Sequence, residues 1–197
     1  MTVARYSFKI FTTFFLLSGC AALFGWNIHA PGLLSEEFAR EIPSVPTRVA
    51  LYIPEGMMDS VSKDKGTQFS DPQTYYLGEA FVPMAIEAFQ HGFQEFILME
   101  AVPTRDIMTR YGIPYLAVVE LKGFQNRKHW GSQGLEVLTE TSLFDRDLNL
   151  VARFETRGAS EARKVFAKKG GPEVNLNHAI EANLRSVVTF VQDGAAG

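Results

Sequence analysis

The sequence predicts an α/β domain of the α+β type, a mostly antiparallel five-stranded sheet with two long helices packed on one face. Residues 77–90 and 175–192 each repeat apolar side chains at helical spacing. Residues 135–144 alternate apolar and polar side chains, which is typical of a sheet covered on one side only. The turn at 145–147 joins this segment to a further apolar run at 148–156, which predicts a hairpin.

The first predicted strand covers residues 48–53, whose apolar side chains share one face, and Pro54 ends it. A polar stretch follows from residue 55 to residue 74. It is long for a connection without structure of its own. We therefore expect either a functional loop or a small hairpin there.

The first long helix is predicted over residues 77–90, and Gly92 fits a left-handed C-terminal cap. Pro83 is costly inside a helix, so we expect the regular helix to begin near Glu79 or to bend there. A second strand follows at residues 95–100. Because a helix joins the first two strands, we expect them to be parallel, through a right-handed crossover.

A short helix, three meandering strands and a closing helix complete the predicted domain, which spans residues 48–192. Thr104 can cap the short helix over residues 104–111. The third strand covers residues 115–124, and Asn175 is the predicted cap of the closing helix. Residues 193–197 form a frayed tail.

An apolar run precedes the only cysteine of the chain. Arg5 and Lys9 supply a short cationic segment, and the residues from Ile10 onward are mainly apolar. The small residues Ser18 and Gly19 come directly before Cys20, as a signal peptidase requires at its cut.

Together, Leu17, Ser18, Gly19 and Cys20 resemble a bacterial lipobox. The resemblance implies that residues 1–19 are a signal peptide and that Leu17, Ser18 and Gly19 are recognised by the peptidase. It also implies that Cys20 begins the mature lipoprotein and carries diacylglycerol and an amide-linked acyl chain such as palmitate. Ala21 stands where the family's inner-membrane retention signal has aspartate, which implies the cell outer membrane, facing the periplasm.

Three other interpretations of this segment stay open. In the first, Cys20 is an ordinary buried cysteine. In the second, a secretory signal peptide is cut at another position, so that no lipid is attached. The third is an uncut membrane helix, because no charged residue occurs from Ile10 to Ile28. That stretch is close to the minimum of about 17 residues that spans a bilayer.

Residues 20–47 are predicted as the lipidated cysteine followed by an extended tether, because Pro31, Pro43 and Pro46 interrupt them. A short helix over residues 33–40, with Ser35 near its start, is compatible with this prediction. Trp26 either rests at the membrane interface, where tryptophan is favoured, or packs on the domain.

The segment from Asp106 to Glu120, with its step Tyr111-Gly112-Ile113-Pro114-Tyr115, is similar to one in a known group. The group is the N-terminal-like domain shared by TolB, the curli secretion lipoprotein CsgG and the polysaccharide export lipoprotein PelC. The turn at 145–149 and the helix at 177–184 resemble the same domain. The resemblance implies an oligomeric accessory of cell-envelope export or assembly and carries no catalytic residue with it.

Composition excludes some classes of protein. The formal net charge is −3, and loss of Arg5 and Lys9 would make it more negative. This balance gives no support to nucleic-acid binding, which shows a basic footprint. With one cysteine, an intramolecular disulfide is impossible, so stability must come from the core, which a composition with 46% hydrophobic residues can supply.

No catalytic or metal-binding constellation is apparent in the sequence. The histidines, His29, His91, His129 and His178, lie far apart, so we expect no metal. His91 fits the last turn of a helix, where a cation is favourable. Asp145 and Asp147 are more typical of a turn than of acid–base catalysis. We therefore expect no enzyme and no cofactor beyond the lipid on Cys20.

Two basic segments form a possible contact surface, although a solvated loop and a buried tryptophan are the plainer interpretations. Its residues are Arg127, Lys128, Trp130, Arg163, Lys164, Lys168 and Lys169. Such residues suit anionic headgroups, an acidic polymer, a glycan or a protein partner.

These observations predict a non-enzymatic, lipid-anchored periplasmic subunit, a transport accessory for envelope export or assembly. Its expected partners are the membrane, through Cys20, and other proteins or further copies of the chain. The alternative is an auxiliary lipoprotein of a transport system that binds lipid or lipopolysaccharide. An apolar groove would favour this alternative, whereas a closed core with an exposed sheet edge would favour the subunit.

Overall fold

The computed structural model describes residues 25–66, 71–129, 131–161, 163–164 and 171–196. Within them, the chain forms one main sheet, one small sheet and four helices. The elements are β1 (Trp26–Ile28), α1 (Glu36–Glu41), β2 (Val45–Tyr52), β3 (Val61–Asp64), β4 (Gln73–Tyr76), α2 (Leu77–Gly92), β5 (Phe93–Met99), α3 (Arg105–Arg110), β6 (Tyr115–His129), β7 (Ser132–Asp145), β8 (Leu150–Ala159), β9 (Arg163–Lys164) and α4 (Pro172–Ala196).

The main sheet has the strand order β5-β2-β6-β7-β8, and the short β9 continues the line of β8 along β7. The predicted α+β class is confirmed, and β2 and β5 are parallel as expected. The sheet is nevertheless mixed rather than mostly antiparallel. The reason is that β6 also pairs in parallel with β2, so that three neighbouring strands run in one direction.

The two long helices, α2 and α4, pack against each other and on one face of the main sheet. The odd-numbered residues of β7 from Leu135 to Leu143 face them and are buried, as their alternation predicts. Helix α4 approaches β8 very closely at Gly158, where an added Cβ would lie 2.2 Å from the Ala179 oxygen and from the Asn183 nitrogen. Beside it, Asn183 donates to the Thr156 carbonyl at 2.9 Å and accepts from Thr139 at 2.9 Å.

A smaller core lies on the opposite face of the sheet. Met108 of α3 and Ile113 are buried there against Ala50 and Leu116. Thr104 caps α3 as predicted, since its side chain accepts from the Ile107 amide. On β7 the two residues Glu136 and Ser142 are also buried on this side. The prediction that the second face of this strand is open to solvent is therefore wrong.

The predicted tether is not an extended one within the described residues. β1 pairs with β4, and α1 lies against the domain, with Ser35 as its N-cap. Ile28 is fully buried, and Phe38 and Ile42 also enter the main core. Apolar side chains thus fold residues 25–47 onto the sheet and helices, despite the prolines between them.

Part of the stretch between residues 55 and 74 forms a small sheet, which is the hairpin alternative rather than a loop. β3 and β4 pair in antiparallel fashion, and β1 completes the order β1-β4-β3. Tyr75 of β4 is fully buried and packs on Phe124 of β6 with ring centroids 4.7 Å apart. This contact places the small sheet over one end of the main sheet.

Three details at the helix ends correct the sequence prediction. Helix α2 begins at Leu77 and includes Pro83, so a start near Glu79 is wrong. Gly92 belongs to the helix and is not left-handed; its added Cβ would lie 2.6 Å from Val188, so packing explains the glycine. Asn175 lies inside α4, where its side-chain amide donates to the Gln133 carbonyl at 2.8 Å.

Candidate functional site

Both basic segments predicted as a contact surface meet at one end of the main sheet. Lys128 of β6 lies opposite Gln133 of β7, and Gln133 is in register with Arg163 of β9 on its other side. Arg127 and Lys164 occupy the neighbouring backbone positions. We call this region the hairpin end. It consists of residues 126–129, 132–134 and 163–164.

The other predicted site residues lie outside the described residues, and their roles stay predictions. They are Leu17, Ser18, Gly19, Cys20, Trp130, Lys168 and Lys169.

A buried network of amides and one phenol joins the hairpin end to the small sheet. We call it the polar junction, and it consists of Gln73, Tyr75, Asn126 and Gln133. Gln73 Oε1 accepts from the Tyr75 hydroxyl at 2.7 Å, from Gln133 Nε2 at 2.9 Å and from Asn126 Nδ2 at 3.0 Å. Gln133 Nε2 also donates to Asn126 Oδ1 at 2.7 Å. The junction thereby connects β4, β6 and β7.

An ion pair continues this network towards the surface. Asp64 of β3 accepts from Asn126 Nδ2 at 2.7 Å and lies 3.0 Å from Lys128 Nζ. Burial opposes ionisation of Asp64, but the Gly66 amide and Lys128 outweigh it, so the pKa of this carboxyl lies below its usual range. Lys128 is therefore held beside a carboxylate that stays ionised at neutral pH.

A second carboxylate lies on the other face of the hairpin end. The Glu136 side chain is only 4% exposed and forms ion pairs with Arg127 and, at 2.8 Å, with Arg157. Both guanidinium groups are more than half exposed. Two arginines thus balance one buried charge, as burial of a carboxylate requires.

The chemistry of the polar junction is that of hydrogen bonding. Amide side chains do not titrate, and burial raises the pKa of the Tyr75 hydroxyl, which therefore stays protonated at neutral pH. Such a network fixes geometry and positions neither an activated nucleophile nor a general base.

Among the described histidines, none contributes to a metal site, and no group of three metal-ligating side chains occurs within the described ranges. His29 bonds to Glu79 at 2.8 Å and stacks on Tyr76. His91 lies in the last turn of α2, and its Nε2–H donates to the carbonyls of Ala39 and Ile42 at the end of α1. It therefore binds α1 to α2.

Asp145 belongs to the turn between β7 and β8. Its carboxylate accepts from the Asn149 side chain at 3.0 Å and from the Asn149 amide at 2.8 Å. The Asn149 side-chain hydrogen bond, followed by the backbone one, lowers the pKa of Asp145. This geometry is that of a turn-forming aspartate.

One described cavity lies between α1 and α2. It has a volume of about 270 Å³ and is lined by Leu34, Phe38, Glu87, Gln90 and His91, among others. Ligand pockets usually enclose about 300–1,000 Å³ and are mainly apolar. This cavity is smaller and has charged and polar walls.

Strand β1 lies beside the polar junction at the hairpin end. The Trp26 amide donates to the Pro72 carbonyl at 2.8 Å, and Trp26 is in register with Gln73 of the polar junction. The Trp26 residue is 41% exposed. The sequence alone does not connect Trp26 to the basic segments.

The sequence did not predict the polar junction or the pairing of Glu136 with two arginines. Asn126 and Gln133 lie in polar stretches at the adjoining ends of β6 and β7, so the sequence does not mark them as buried. Their partners come from β4 and β8, which are remote in the sequence.

No protein-family model and no curated protein matches the chain. Similar solved structures include a hypothetical protein from Chlamydia trachomatis, at 10% identity over 78% of this chain and 100% of that one, with a TM-score of 0.49. A minor lipoprotein from Acinetobacter baumannii is similar at 12% identity over 78% and 93%, with a TM-score of 0.38.

A PelC dodecamer from Paraburkholderia phytofirmans is similar at 10% identity over 78% of this chain and 90% of its own, with a TM-score of 0.38. Solved structures similar to this chain thus include lipoproteins and a PelC, which is one member of the group that the sequence resembles. All three TM-scores lie below 0.5.

In the part of the chain that the structure describes, no helix has the length and apolar character needed to cross a membrane.

Proposed function

We propose that this chain is a non-enzymatic lipoprotein subunit, held by acylated Cys20 in the inner leaflet of the outer membrane, that serves envelope export or assembly. The observation that carries the proposal is the lipobox-like segment Leu17, Ser18, Gly19 and Cys20, with strand β1 of the domain only a few residues later, at Trp26. Two or more acyl chains give stable attachment, whereas one chain holds only reversibly.

The described side chains support a binding role rather than catalysis. The polar junction contains amides and a protonated phenol, and the ion pairs of Asp64 and Glu136 hold strands together. Neither set brings a nucleophile and a base into hydrogen-bond contact.

The outer strand β8 is the surface that best fits a protein partner. Within the described residues it pairs only with β7, and it exposes Leu150, Val151 and Phe154. A long edge strand with apolar side chains can accept a strand of another chain. We propose that β8 carries the contact with a partner or with a second copy.

The alternative role, binding of lipid or lipopolysaccharide, has less support. It requires an apolar groove between the helices and the sheet, but that interface is filled by buried side chains such as Phe81, Leu143 and Leu184. The cavity beside α1 is too small and too polar for an acyl chain.

Crosslinking in native membranes, followed by mass spectrometry of the products, tests the subunit role. We expect crosslinked pairs that contain peptides from β8, with a second copy or with one recurrent partner. Recovery of monomer alone, with lipid bound to it, would contradict the subunit role and favour the alternative.

A further inference from the structure

We propose that the hairpin end, with β3 beside it, rests on the anionic headgroups of the membrane in which Cys20 is anchored. This inference depends on the proposed lipid anchor and adds an orientation and a lipid class to it. It also replaces the predicted tether, which would let the domain stand away from the bilayer.

Strand β1 is the described element nearest to Cys20 in the sequence, and it lies beside the hairpin end. Trp26 of β1 lies beside Gln73, and Gln73 Oε1 accepts hydrogen bonds from Asn126 and Gln133 of the hairpin end. Neighbouring strands lie about 4.8 Å apart. Gly25 and Trp26, the described residues nearest to Cys20 in the sequence, therefore lie close to the strands that carry the basic residues.

The segment between Cys20 and Gly25 is short. Gly25 is the first described residue, five positions after Cys20, and a fully extended chain of that length spans at most about 18 Å. A domain of this size is roughly 40 Å across. The end that carries Trp26 must therefore stay close to the bilayer, while the opposite end cannot reach it without turning the domain over.

The distribution of charge also favours this end of the domain. The whole chain has a formal net charge of −3, yet basic residues gather at this end. They are Lys63, Lys65, Arg127, Lys128, Arg163 and Lys164. Lys63 and Lys65 are exposed on and just after β3, and the Arg127 side chain is 53% exposed.

Carboxylates also lie near the hairpin end. Asp64 and Glu136 are engaged by Lys128 and by the arginines, and the Glu136 side chain is almost fully buried. Asp59, Asp71, Glu161 and Glu173 are the other acidic residues close by in the chain. Among the described residues, Lys63 and Lys65 are exposed and form no ion pair, so their charges can meet anionic headgroups. Each Lys or Arg near an anionic bilayer strengthens binding by about fivefold.

Trp26 provides both a reason for this orientation and a probe of it. Its side chain is partly exposed at this end, and tryptophan is favoured at membrane interfaces. The chain has two tryptophans, and the other, Trp130, is the residue between His129 of β6 and Gly131. Quenching of tryptophan emission by brominated lipids therefore reports on contact at this end.

The experiment uses the full lipidated protein, extracted from membranes and reconstituted in two kinds of vesicle. One kind contains phosphatidylcholine alone, and the other contains equimolar phosphatidylcholine and phosphatidylglycerol, each with a brominated fraction. We expect at least twofold stronger quenching in the anionic vesicles. We also expect this excess to disappear at about 1 M salt, where charges are screened beyond about 3 Å.

A matched pair of double variants tests the surface. Lys63→Glu with Lys65→Glu should remove most of the excess quenching. Arg110→Glu with Arg146→Glu, at the opposite end of β6 and β7, should leave it unchanged. Circular dichroism checks that both variants stay folded.

The failures are distinguishable. If the protein floats with both kinds of vesicle but is quenched equally in each, or if the Arg110 and Arg146 variant loses as much quenching as the lysine variant, the contact with anionic headgroups is wrong and the anchor stands. If the protein does not float and its Cys20 is unmodified, the anchor is wrong and the orientation fails with it.

Discussion

Gly158 determines how closely α4 packs on β8. A Cβ at this position would lie 2.2 Å from backbone atoms of Ala179 and Asn183, which cannot move without displacing the helix. We expect Gly158→Ala to lower the free energy of unfolding by about 1–3 kcal/mol, the usual cost of overpacking. Urea unfolding measures this change.

Gly123→Ala is the matched control for Gly158→Ala. Gly123 also lies in the main sheet, but its added Cβ would meet Leu138 at 3.7 Å, an ordinary contact. A comparable loss of stability in both variants would show that strand glycines matter here for a reason other than helix packing.

Asp64 makes the stability of the small sheet depend on pH. Its pKa is lowered in the folded protein, so its contribution is complete above the ordinary value of about 3.9 and is lost as the pH falls through the folded-state value. We expect Asp64→Asn to be less stable than the parent at pH 7, by no more than about 1 kcal/mol because the pair is partly exposed.

The difference in unfolding free energy between Asp64→Asn and the parent should shrink towards zero at pH 3, as measured by thermal or urea unfolding. Asp59→Asn, at an exposed position nearby, is the control. A difference between Asp64→Asn and the parent that stays constant from pH 7 to pH 3 would contradict the role given to the carboxylate charge.

At the scale of elements, β8 is the strand on which assembly is expected to depend. Val151 is 49% exposed near its start. We expect Val151→Lys to reduce crosslinked species in native membranes several-fold without loss of folding, because a charge at an edge discourages strand pairing. Val102→Lys is the same substitution of an exposed valine, but it lies in the loop before α3. It should leave crosslinking unchanged.

Elements with a local periodic pattern were predictable from the sequence. Helices α2 and α4 and the hairpin of β7 and β8 lie close to the predicted segments, because their apolar spacing reflects the face that each buries. The pairing of β1 with β4 was not predictable. It joins Trp26 to Gln73 through long-range contacts that leave no periodic signal in such short strands.

The candidate site was likewise predictable only in part from the sequence. Arg127, Lys128, Arg163 and Lys164 were predicted as contact residues from composition alone, and strand pairing brings their backbones together. The ion pairs of Arg127 and Lys128 were missed, because Glu136 and Asp64 acquire their roles only when the sheets pack.

At the scale of the whole molecule, the proposed arrangement has the domain directly against the membrane rather than on a long tether. The prolines between residues 25 and 47 favour an extended chain, but the burial of Ile28 and Phe38 stabilises the packing of this segment on the domain. The orientation of the domain then follows from the short segment between Cys20 and Trp26, provided that Cys20 carries the anchor.

The intact mass of the full chain, extracted from bacterial membranes, tests that anchor most directly. We expect a protein that begins at Cys20 and is heavier than its polypeptide by one diacylglycerol and one amide-linked acyl group. Cys20→Ala should carry no lipid and should retain residues 1–19. A wild-type mass that corresponds to the unmodified polypeptide, cut or uncut, would contradict the account.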